Sequence, residues 1–284
     1  MCTKTIPVAN RSVLLYAVIA VLAIATIGHA QPATIPRDHH VWARFAPGAW
    51  SKVQKVSQQF DRDGSLSSTS TTETKTTLVS VDDTGCRLRQ EVTVTLGAKR
   101  FAPAPQLTHV GFLGETDGEQ AVVKELQTTE LDAGGIEVLC DILEVKITSA
   151  DKQITSTIWH SDVVPPYILR RDTKLTDREG ELVHEETSVK VVALEMPCRV
   201  LSEIRSGAYL NTVTTYAKGS TTTVEVICTD VPGGVVSRSS SEMDASGQLV
   251  RRSTLELIGY GTAPAAPSVI YRRPLLLRHK RSRR

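Results

Sequence analysis

Four short stretches of the chain carry residue types that could do chemistry. The first is Phe60-Asp-Arg-Asp-Gly-Ser-Leu66, where Asp61, Asp63 and Gly64 look like the middle of a calcium loop. An EF-hand with Gly64 in sixth place would start at Gln59 and end at Ser70, and it needs a carboxylate at one end and a bidentate Glu at the other. Both ends are wrong. The second, His184-Glu-Glu-Thr-Ser188, begins like a zinc-protease helix but has Ser188 where the second histidine belongs. In the third, Trp159-His160-Ser161-Asp162, strand neighbours point to alternate faces and do not form a nucleophilic relay. The fourth, His39-His40, reads as a solvated pair rather than a metal site. No catalytic residue, metal or cofactor is expected from these stretches. Trp42, Trp50 and Trp159 stand near prolines and read as core anchors rather than the lining of a ligand groove.

Internal repetition says what must position these residues. Residues 164–191 align without a gap on residues 231–258, at an offset of 67. Pro165 falls on Pro232, Arg171 on Arg238, Asp177 on Asp244, Gly180 on Gly247, Leu182 on Leu249 and Thr187 on Thr254. A looser third copy opens at residues 41–50 and continues into the Asp61 turn. Each unit is strand, proline-marked break, strand, Asp-x-x-Gly turn, strand. The turn residues are thus Asp61 and Gly64, Asp177 and Gly180, and Asp244 and Gly247. The aspartate can accept a backbone hydrogen bond, and the glycine supplies the positive φ that a bulged type I turn requires.

The elements between the turns read as strands. Residues 86–96 alternate, with Cys86, Leu88, Val92, Val94 and Leu96 on one side. Similar runs occur at 136–147, 154–159, 188–194, 221–228 and 253–260, and the Ser/Thr-rich 65–77 reads as an exposed strand. One helix is expected at 118–131, weakened by Thr128 and Thr129. The interval 97–135 reads as an insertion, with a loop at 101–106. The expected fold class is mainly β: about ten to fourteen mostly antiparallel strands. They would form a curved sheet, a half-open barrel or two packed sheets, with at most one or two short helices after the signal peptide.

The first thirty residues have the three parts of a secretory signal: Lys4 and Arg11, an uncharged run over 13–27, and small residues Gly28 and Ala30 ahead of a cleavage point between Ala30 and Gln31. An uncleaved membrane anchor is the alternative. The expected organisation is a signal peptide at 1–30, a flexible mature N-terminus at 31–40, and a β-rich domain at 41–262. That domain would hold hairpin repeats at 41–96, 152–194 and 219–260. A Pro/Ala linker and basic tail follow at 263–284. The chain has 33 basic and 31 acidic residues, and seven of the basic ones lie in 271–284 with no acid among them. A basic cap on a mildly acidic body excludes a nucleic-acid-binding domain. It suits anionic lipid or a cell-surface polymer as a partner. Cleavage removes Cys2 and leaves Cys86, Cys140, Cys198 and Cys228, with no CxxC motif. An even number in an exported chain permits two disulfides, in three connectivities, or four buried thiols.

Trp42…Phe45-x-Pro47-Gly48-x-Trp50, the Thr-rich hairpin and the later Asp230-Val-Pro-Gly-Gly…Leu-Val-Arg-Arg run together resemble exported proteins of planctomycete-type bacteria, over much of residues 41–260. That resemblance implies an exported β-rich protein and transfers no activity and no functional residue. In architecture alone the pattern is similar to the periplasmic lipoprotein-carrier half-barrel. Two functions are therefore expected as alternatives: a non-enzymatic structural or interaction module of the cell envelope, or a periplasmic carrier of an apolar ligand. A carrier requires an apolar concavity of about 300–1,000 Å³.

Overall fold

A computed structural model describes residues 35–263. The signal segment, with Ala30 and Gln31, and the basic tail lie outside the described residues. Fourteen strands run in chain order: β1 Trp50–Phe60, β2 Leu66–Val81, β3 Gly85–Leu96, β4 Lys99–Phe101, β5 Gln106–Gly111, β6 Gln120–Asp132, β7 Glu137–Thr148, β8 Lys152–His160, β9 Ile168–Asp177, β10 Val183–Val200, β11 Glu203–Tyr216, β12 Gly219–Ile227, β13 Val235–Asp244 and β14 Leu249–Gly261. All join one antiparallel sheet in the order β4-β3-β2-β1-β14-β13-β12-β11-β10-β9-β8-β7-β6, with β5 also pairing β3. The sheet is curved and unclosed, one sheet and not two packed ones. The only helical turn among the described residues is a 3-10 turn over Arg37–His39.

The three Asp-x-x-Gly turns close β1–β2, β9–β10 and β13–β14, with Gly64, Gly180 and Gly247 each at φ 82°. Each glycine N–H donates to its aspartate carbonyl, at 2.9, 3.2 and 3.0 Å. The side-chain bonds differ between copies. Asp244 Oδ1 accepts from Ser246 and Gln248 N–H, Asp177 Oδ1 from Glu181 N–H, but in the first turn Asp63, not Asp61, accepts from Ser65. So Asp63 is a turn-capping carboxylate. Two further turns of the same spacing were not singled out from the sequence: Asp82 caps Gly85 and Asp132 caps Gly135.

Because Gly180 holds a left-handed conformation, Gly180→Val should cost about 1–3 kcal/mol. Glu179→Ala, at an exposed position of the same turn, should stay within about 0.5 kcal/mol. Urea unfolding midpoints compare the two; equal midpoints would sink the turn argument.

The helix expected over 118–131 is strand β6. Its backbone pairs with β7 from Gln120 to Asp132, and Ala121 and Val123 pack against the buried Leu143, Val145 and Ile147. Tertiary pairing overrides a weak helix propensity here.

A single sheet cannot bury a large core, and the apolar residues gather in four clusters. The segment before β1 completes two of them. Ile35 is buried with Leu143, Val145, Ile147 and Ile158, and Ala43 with Leu78, Cys86 and Leu88. Between these points Val41 carbonyl accepts the Gly233 N–H at 3.0 Å, and Gly233 leaves room for the Trp42 ring. From Ile35 onward the stretch expected to be a flexible N-terminus is therefore packed across strands from both ends of the sheet. Its apolar side chains are the reason.

No strand pairing joins β5 to β6. Residues 111–119 carry the chain across that gap, where Arg171 donates to the Leu113 carbonyl at 3.3 Å and to Ser156 Oγ at 3.1 and 3.2 Å.

Candidate functional site

The proline-marked loops of the two aligned repeats are closed by the same pair of backbone hydrogen bonds. Ser161 N–H donates to the Tyr167 carbonyl at 2.7 Å, and its counterpart Cys228 N–H donates to the Gly234 carbonyl at 2.8 Å. Tyr167 N–H reaches Val164 at 2.9 Å, as Gly234 N–H reaches Val231 at 2.8 Å. The left-handed residue that closes the loop is Gly234 (φ 78°) in one copy and Tyr167 (φ 73°) in the other. A tyrosine in that region costs on the order of 1–3 kcal/mol, and such strain collects at functional sites.

Tyr167 uses its ring. It stacks on His39, with centroids 3.8 Å apart and planes 5° from parallel, and the Arg44 guanidinium lies 5.8 Å from its centroid. His39 Nδ1 is 3.1 Å from His160 Nε2. His160 Nδ1 faces Asp162 Oδ1 at 3.6 Å, and His39 Nδ1 is 3.9 Å from the same oxygen. The imidazoles are 10% and 6% exposed and the carboxylate 67%. Burial holds the His160 imidazole below its ordinary range, an effect partly opposed by Asp162.

The expectation of a solvated His39-His40 pair is thus corrected: both are packed. His40 Nδ1 accepts from the Trp42 and Ala43 N–H groups, its ring meets Phe112 edge-on, and burial holds its pKa down. His160 and Asp162, two positions apart, do converge, whereas Ser161 turns into the loop and its hydroxyl lies 3.5 Å from Val163 N. His184 is exposed on β10.

The four cysteines are buried free thiols. Cys86 and Cys140 sit in separate clusters, and burial pushes each up to about 11. Cys198 and Cys228 share one cluster, so theirs is the one bridge this packing would accept.

A second surface lies on β8–β11. Two neighbouring rows on one face read Thr155, Lys174, Glu186, Thr215 and Thr157, Asp172, Ser188, Val213 across the four strands. They line an open trough of about 470 Å³. Lys174 pairs with Glu186 at 2.9 Å and Arg170 with Asp172 at 2.6 Å, while Ser188 donates to Asp172 at 2.7 Å. Arg170 also lies 4.5 Å over the Trp159 ring, at the end of the trough. A further cleft of about 430 Å³ is lined by Arg199, Tyr209 and Glu256 as well as Leu201, Val226 and Leu257. Both reach the size a carrier needs, but their linings are hydroxyl, charged or mixed. Trp50 packs on Gly259 and Gly261 with Lys75 5.0 Å over it, and like Trp42 and Trp159 is half-buried.

No family model matches the chain, and no curated protein matches it. Among solved structures, a "putative lipoprotein" from Parabacteroides distasonis is 11% identical, covering 81% of this chain and all of that one, at a TM-score of 0.33. An exported protein with a YmcC-like fold from Bacteroides fragilis, also described as "putative", is 10% identical over 76% of this chain and 99% of that one, at 0.30. Scores this low carry no argument about function, and nothing found links the chain to planctomycete-type proteins. No helix among the described residues is long and apolar enough to cross a membrane.

Proposed function

We propose that this chain is an exported, non-enzymatic interaction module of the cell envelope whose contact surface is the trough over β8–β11. Export is supported by the signal-like residues 1–30. The observation that carries the reading is the internal pairing of the trough: its cations and carboxylates neutralise one another, leaving its hydroxyls to meet a partner. Such a surface suits a neutral, hydroxyl-rich polymer of the envelope, bound by hydrogen bonds.

Co-sedimentation of purified protein with insoluble envelope polysaccharide tests it. Binding should persist at about 0.5 M salt, since little net charge is involved. It should fall at least about tenfold in a Thr157→Arg, Ser188→Arg variant, which puts two unpaired charges in the trough. No co-sedimentation, or turnover of ester, glycoside or peptide substrates, would overturn the reading. A co-purified lipid seen by native mass spectrometry would favour the carrier instead.

A further inference from the structure

We propose that His39, His160 and Asp162 form a divalent-metal site, of the kind zinc takes, that fastens the segment before β1 to the β8–β9 loop. Three observations carry it. One donor atom from each of the three residues lies within 4.8 Å of the others. The 3.1 Å between His39 Nδ1 and His160 Nε2 is close to the roughly 3.3 Å between two nitrogens on one tetrahedral zinc, given Zn–N bonds of about 2.0–2.1 Å. Two nearly buried imidazoles meet beside the exposed, rotatable Asp162, whose Oδ1 is 3.9 Å from His39 Nδ1, and two nitrogens with one oxygen leave a fourth position open.

The sister loop supplies the control. At the offset of 67, His160, Asp162 and Tyr167 correspond to Ile227, Thr229 and Gly234, none of them suited to the task. The two backbone hydrogen bonds that close the loop are kept in both copies, so closing it does not require a histidine, a carboxylate or a left-handed tyrosine there. Tyr167 instead holds the His39 ring by stacking, a positioning role that accounts for its strained φ. The metal would bind Nδ1 of His39 and Nε2 of His160, displacing the proton they share, and Asp162 would supply the third ligand.

The test uses the mature chain freed of metal by chelator and titrated with Zn²⁺ by calorimetry, with melting followed in parallel. One Zn²⁺ per chain is expected, together with a higher melting temperature in its presence. His39→Gln should weaken binding by more than about tenfold and abolish that rise. Asp162→Asn should weaken binding at least about tenfold and, being on the surface, leave the fold intact, so it decides the matter if His39→Gln does not fold. His184→Gln, at an exposed histidine elsewhere on the sheet, should bind as the wild type does. Folded wild type that takes up no Zn²⁺, or Asp162→Asn that binds it undiminished, would overturn the proposal. Polysaccharide binding is read on a different face and is not expected to follow these variants.

Discussion

Arg171→Ala should lower stability by about 2–4 kcal/mol and open the gap between β5 and β6. The guanidinium is largely desolvated, which lowers its pKa, and it is held by Ser156, by the Leu113 carbonyl and by the charge of Glu115. Removing it strips a part-buried carbonyl of its donor and leaves Glu115 facing a cavity. Arg171→Lys keeps the charge but replaces the planar fork that spans Ser156 and Leu113 with a compact ammonium, so it should recover only part of the loss. Urea unfolding gives the size of the effect. Limited proteolysis gives its place, because residues 111–119 should be cut first. A variant with unchanged midpoint and cleavage pattern would show that the bridge across the gap contributes nothing.

Ile158→Ala should cost a similar amount, about 2–5 kcal/mol, by a different route. Ile158 is fully buried opposite Leu143 and Arg171, in the cluster that receives Ile35. The cavity would loosen the docking of residues 35–49 as well as β8. Tryptic cleavage after Arg37 should therefore accelerate in this variant, and in Ile35→Ala, but not in a truncation made in another cluster such as Val236→Ala. Equal cleavage in all three would mean that the N-terminal segment is not held by this contact.

Much of the sheet was legible in the sequence because it is made of local units. The 67-residue offset identified two hairpins whose loops share their two closing hydrogen bonds, and three glycines at Asp-x-x-Gly spacing marked where the strands fold back. The turns at Asp82 and Asp132 share the spacing, with the glycine N–H donating to the aspartate side chain instead, and escaped notice because their flanks do not repeat. Strand β6 was misread because Ala121, Val123 and Leu131 are too sparse to fix a period, and β7 decides the matter from outside the segment. The metal-ligand arrangement was out of reach for a plainer reason. His39 and His160 are 121 positions apart, and nothing local to His39 announces that its ring will be stacked. One signal was available: the repeat alignment set Tyr167 on Gly234, an exchange that a left-handed loop position tolerates poorly.

The strand order has a kinetic consequence. Apart from β3 with β5, every pairing joins consecutive strands except that of β1 with β14, which brings Trp50 beside Gly261. Nearly all of the sheet can thus form through short loop closures, while this seam closes a loop of about 200 residues. Each doubling of a loop adds only about 0.6 kcal/mol, so the seam is affordable once its flanking hairpins exist and slow before they do. Substitutions along it will therefore be felt as faster unfolding far more than as slower folding.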